Sequence, residues 1–152
     1  MKKAFKYFVF LTILIFAIFS DGFFSYFSLS FVISLSFLLY KKNTTALIIC
    51  ALSGALRDFL FFTLPYFSFL YLYISLGCVW CSEMFLGLSV KKIALIGFFA
   101  KLSYHILYFL ISALTYADVY FSFFDFSSAL FSSALAGIVA PITFLFFKRF
   151  KF

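Results

Sequence analysis

The chain has 152 residues, 66% of them hydrophobic, 26% aromatic and only 11% charged, with a net charge of +7. Ordinary soluble domains are about half apolar and about a quarter charged, and a unit of this size hides only about 70% of the surface its unfolded chain exposes. A water-soluble fold is therefore excluded, and 29 Phe against two Pro and six Gly exclude disorder, collagen and a solenoid as well.

Apolar runs of roughly the 17 to 25 residues that cross a hydrocarbon core as a helix recur six times. They cover approximately 5–20, 23–40, 45–63, 66–84, 93–116 and 124–147. The first opens on Lys2, Lys3 and Lys6; a secretory leader would look similar, but the Ile18 to Ser20 stretch is a poor cleavage pattern, so it reads as a span. Losing it would leave five spans in the same orientation. The second ends at Lys41 and Lys42, and the fourth and fifth are separated by Lys91 and Lys92. Lys148, Arg149 and Lys151 follow the sixth. None of the runs alternates as barrel strands do, so helices are expected.

Orientation follows from the same lysines, because cytoplasmic loops retain Lys and Arg. With six helices every basic cluster falls on one side, while the other gaps hold Asp21, then Leu64 and Pro65, then Asp118. The expectation is one all-α integral membrane domain over 1–152, a bundle of about six transmembrane helices with both termini cytoplasmic. Positive charge so placed sets topology and meets anionic membrane lipids rather than nucleic acid.

Chemistry-bearing residues are few. Cys78 and Cys81 form a C-x-x-C pair inside the fourth run, and Cys50 lies in the third. Neither a second pair nor a nearby His accompanies them, so they read as small buried side chains. His105 is the single His, which leaves no metal-ligand set. Phosphate loops, nucleophile elbows and supported catalytic triads are absent from the sequence. The expectation is no catalytic residue, no cofactor and no metal.

Small and polar residues inside the runs are more informative. Ala46, Cys50, Gly54 and Asp58 recur every four residues and share a helical face suited to close helix packing. Asp58 then serves either as a local cap or as a polar anchor in the bundle. Arg57, about 100° away, need not pair with it and is free to snorkel outward. In the sixth run Ala129, Ser133 and Gly137 form one stripe and Ala136 and Ala140 another, before Pro141. They suit internal packing or docking of another membrane protein, a second copy of the chain included. Pro141 should kink this helix and free a carbonyl. Glu83 and Lys101 each lie nine positions from Lys92, so an antiparallel hairpin suggests a buried pair; separate snorkelling is the alternative. Lys101 shares a face with Tyr104, His105 and Tyr108. Tyr66, Tyr71, Tyr73, Tyr116 and Tyr120 read as one interfacial belt, Tyr7 and Tyr40 as the other.

The stretch ALSGALRDFLFF and the closing SALFSSALAGIVAPITFLFFKRFKF, with the length and six spans, resemble the bacterial rod shape-determining protein MreD family. That family's Gly-x-x-x-Gly-x-x-x-Asp pattern is matched by Cys50, Gly54 and Asp58. Its last helix, with small residues, Pro and a basic tail, is matched by Gly137, Pro141, Lys148 and Arg149. Three departures are Cys50 for the first Gly, Ala136 for a frequent Asn, and a missing Pro early in the second span. The resemblance implies a non-enzymatic scaffold of the cell-elongation machinery in the bacterial inner membrane. Its partners would be an MreC-like protein and, through it, MreB, RodA and a penicillin-binding transpeptidase. The competing expectation is a substrate-capturing S component of an energy-coupling factor transporter, with Arg57, Asp58 and Tyr73 converging on an outward cavity.

Overall fold

The computed structural model describes residues 2–23, 28–41, 43–61, 66–84, 88–115 and 123–151, and across them the chain is all-helical. Six helices follow in order: α1 (Lys2–Phe23), α2 (Leu29–Lys41), α3 (Thr44–Leu60), α4 (Tyr66–Met84), α5 (Val90–Thr115) and α6 (Phe123–Phe150). Every expected span has its helix. Three segments, Phe5–Gly22, Val90–Leu114 and Asp125–Phe150, are long and apolar enough to cross a membrane. At 1.5 Å per residue the 28-residue α6 reaches about 42 Å, whereas the 13-residue α2 reaches only about 20 Å.

The short helix is the centre of the bundle. Every side chain of α2 from Ser30 to Leu39 is buried, and α2 touches each of the other five helices. A helix apolar on all sides belongs inside, not on a surface. Phe31, Leu35 and Leu39 on one side pack with α4, α5 and α6 through Leu70, Ile96, Ala136 and Phe144. Ile33, Phe37 and Leu38 on the other pack with Phe10, Leu14 and Ile18 of α1 and with Ala46 and Cys50 of α3. Phe10 stacks on Phe37 at 4.3 Å between ring centroids. The serines of α2 bond without leaving the bundle: Ser34 donates to Phe31 O and Ser36 to Val32 O.

The second element begins later than the sequence suggests, at Leu29 rather than 23, because α1 continues through Phe23. The aromatic residues that follow Gly22 hide that boundary. The consequence is that Asp21 sits in the last helical turn, not in a loop.

Small residues set the helix spacings, as expected where lipid removes the hydrophobic drive between helices. A Cβ on Gly97 of α5 would come within 2.7 Å of Ala140 Cβ and 3.0 Å of Ala136 O, and one on Gly137 within 3.2 Å of Ala94 O. The stripe Ala129, Ser133, Gly137 and its neighbours Ala136 and Ala140 therefore serve internal packing, chiefly of α5 on α6. The helix continues through Pro141, and nearby hydroxyls supplement its backbone: Thr143 Oγ1 donates within 3.0 Å of Val139 O and Ala140 O, and Ser36 of α2 reaches Ala140 O at 3.2 Å.

Both ends of the chain lie at one end of the bundle. Lys6 Nζ in the second turn of α1 donates to Phe150 O and Lys151 O, each at 2.9 Å. These are carbonyls that the end of α6 leaves without helical partners.

Candidate functional site

The opposite end of the bundle, where α1 and α3 finish and α2 and α4 start, holds the buried polar groups. Two hairpins are closed there by one device. Asp21, at the end of α1, receives the backbone N–H of Ser30 at 3.3 Å and the Ser30 hydroxyl. Asp58, near the end of α3, receives the N–H groups of Phe67 and Ser68, at 3.1 and 2.9 Å, and the Ser68 hydroxyl. Each carboxylate of an outgoing helix caps the N-terminus of the returning one, where orphan donors and the positive end of the macrodipole favour an anion. Gly54, one turn before Asp58, makes the approach feasible: a Cβ there would lie 2.6 Å from Phe67 O. The stripe Ala46, Cys50, Gly54, Asp58 thus faces inward, and Asp58 is a cap.

Arg57 occupies the space between the two hairpins. It does not snorkel; it is 4% exposed. Its Nη1 lies 3.7 Å from Asp21 Oδ2 and donates to Ser28 Oγ at 2.6 Å, Tyr71 OH at 3.1 Å and Tyr104 OH at 3.4 Å. Its guanidinium carbon stands 4.1 Å from the centroid of Phe67, a cation over an aromatic face. Tyr71 is also bonded to Ser30 at 2.9 Å. The cluster consequently ties α1, α2, α3, α4 and α5 together. Ser28 supplies its hydroxyl from a left-handed backbone (φ 47°), a conformation that costs about 1 kcal/mol or more for a residue other than Gly.

Lys101 lies deeper. It is fully buried, and its Nζ sits 4.1 Å from the Tyr104 ring centroid with no hydrogen-bond partner among the described residues. It does not pair with Glu83, which is exposed. Counting from Lys92 misplaces the hairpin: α4 ends at Met84 and α5 begins at Val90, so Glu83 is in the last turn while Lys101 lies about 16 Å into its helix. The rest of the expected polar stripe is present. Tyr104 packs on His105 and stacks on Tyr108, and His105 Nε2 is 3.2 Å from Ser132 Oγ of α6.

Tyr71 is no belt residue, being completely buried, whereas Tyr73 faces outward. Tyr116 and Tyr120 lie outside the described residues. The three cysteines are free, Cys50 and Cys78 buried and Cys81 exposed. Among the described residues no group of three His, Cys, Asp or Glu is placed to hold a metal ion. The three polar residues that a ligand cavity would need turn apart: Arg57 is held by Asp21, Asp58 caps α4, and Tyr73 points away from both. The cluster can lock helices together through a buried ion pair and the hydroxyls bonded to its guanidinium. No family model, curated protein or solved structure matches the chain.

Sequence reasoning missed Asp21, Ser28, Ser30 and Tyr71. The available signal was an acid at the end of an apolar run followed, nine residues on, by Ser, a spacing that recurs almost unchanged from Asp58 to Ser68.

Proposed function

We propose that the chain is a non-enzymatic membrane scaffold of the MreD type, acting in the bacterial inner membrane within the machinery that directs wall synthesis along the cell's length. The supporting observation is that the polar and small residues at its helix crossings are spent on its own helix contacts. Arg57, Asp58, Gly54 and Gly137 bond or pack one helix to another, making a braced bundle whose outer faces carry bulky apolar side chains such as Phe8, Phe16, Phe69 and Phe131. A self-braced body with apolar faces suits holding neighbouring membrane proteins in register. An MreC-like protein is the expected direct partner, with MreB, RodA and a penicillin-binding transpeptidase reached through it, and both termini are cytosolic.

The test is depletion in the native host with microscopy and labelling of new wall, alongside co-purification with the MreC-like protein. Rounded cells with delocalised wall synthesis and a retained complex support the reading. Normal shape on full depletion overturns it.

A further inference from the structure

A groove of about 620 Å³ runs between α4 and α5 and is walled almost wholly by apolar side chains. Gly77 and Cys81 line one side; Leu95, Phe99, Ser103 and Ile106 line the other. The bundle itself leaves this space open. Gly54, Gly97 and Gly137 are each pressed by a neighbouring helix, but a Cβ on Gly77 would meet nothing within 4 Å.

The length of the groove says what fills it. From Leu95 to Leu107 the α5 wall spans about 18 Å at 1.5 Å per residue. That is close to one leaflet of a hydrocarbon core roughly 30 Å thick, and too short for a crossing helix that must line both leaflets. Its charge says which end is polar. Lys91 and Lys92 precede Leu95 and Ile96 by one turn, so both lie on the groove face of α5, at the end where the helix starts. Ser89 caps that terminus, its hydroxyl accepting from Lys92 N at 3.4 Å. Two ammonium groups beside the positive end of a helix dipole suit a phosphate.

We propose that the α4–α5 groove is the binding site of an anionic glycerophospholipid, its acyl chain against Gly77 and Ser103 and its phosphate on Lys91 and Lys92. The inference rests on the membrane-spanning reading alone, so loss of the shape-scaffold reading leaves it standing. The full chain is reconstituted in nanodiscs of equal parts phosphatidylglycerol and phosphatidylcholine, and lipid retained on release is counted by native mass spectrometry. Two lysines at a surface should favour the anionic lipid by on the order of tenfold to thirtyfold. The double variant Lys91→Gln, Lys92→Gln should lower that preference by about the same factor, leaving only what the other basic clusters contribute. Gly77→Leu, which fills open space and leaves the thermal melting of the bundle intact, should lower retention of both. Equal retention by the unaltered chain overturns the proposal, as does a preference left undiminished by the double lysine variant.

Discussion

Two basic side chains buried in this bundle have opposite circumstances. Arg57 has a counter-charge in Asp21 and three hydroxyl partners; among the described residues Lys101 has only the face of Tyr104. Removing one member of a buried pair strands the other charge, which typically costs about 3–5 kcal/mol. Asp21→Asn is therefore expected to destabilise the bundle by that order in reversible unfolding from mixed micelles. Adding Arg57→Met to it should recover much of the loss, because neither charge then remains. If the double variant is as unstable as the two single effects summed, the pair is not coupled. Lys101→Met should behave differently: it removes a buried polar head that has no hydrogen bond to lose and keeps the apolar stem. Its melting temperature should equal or exceed that of the unaltered chain, and a large drop would mean that the ammonium has a partner after all.

Between helices, close approach and capping are made by the same few residues. Gly54→Ala would press a methyl into the backbone of Phe67, and overpacking of that kind costs typically about 1–3 kcal/mol. Gly77→Ala meets open space and exchanges the poorest ordinary helix former for the best, so it should be neutral or stabilising by up to about 1 kcal/mol. The two substitutions are chemically identical, so thermal melting of both reads the helix contact directly; equal effects would refute the assigned spacing. Asp58→Ala should cost about 0.5–2 kcal/mol as a lost helix cap. This is also the scale at which the sequence can be judged as a guide. The six runs, and the inward face of Ala46, Cys50, Gly54 and Asp58, were legible because length and a period of four are local signals. Asp21 was not, because the apolar residues after Gly22 erase the end of α1 and its partner Ser30 lies on another helix. The Glu83–Lys101 pairing failed for a related reason: depth in a hairpin is counted from where the helices end, and Lys92 is already inside α5.

For the molecule as a whole, the contact between its two ends constrains how the six helices can run. Lys6 on α1 holds the last carbonyls of α6, so the chain leaves the bundle at the end where it entered. Only an even number of crossings permits that. Six helices running alternately up and down satisfy it, and they also bring Lys41, Lys91, Lys92 and Lys148 to that same end, leaving Asp21, Asp58 and Asp125 toward the other. The short α2 fits as well, since a helix enclosed by five others need not meet either headgroup layer. Reporters fused to the two termini should accordingly read one compartment, which the charge bias predicts to be the cytosol. A covalent version isolates the contact itself. In a Cys81→Ser background, which removes the exposed thiol, Lys6→Cys and Lys151→Cys should be joined within one chain by a short bis-maleimide in intact membranes. Reporters on opposite faces would require an odd number of crossings, and joining only between chains would require a different arrangement of α1.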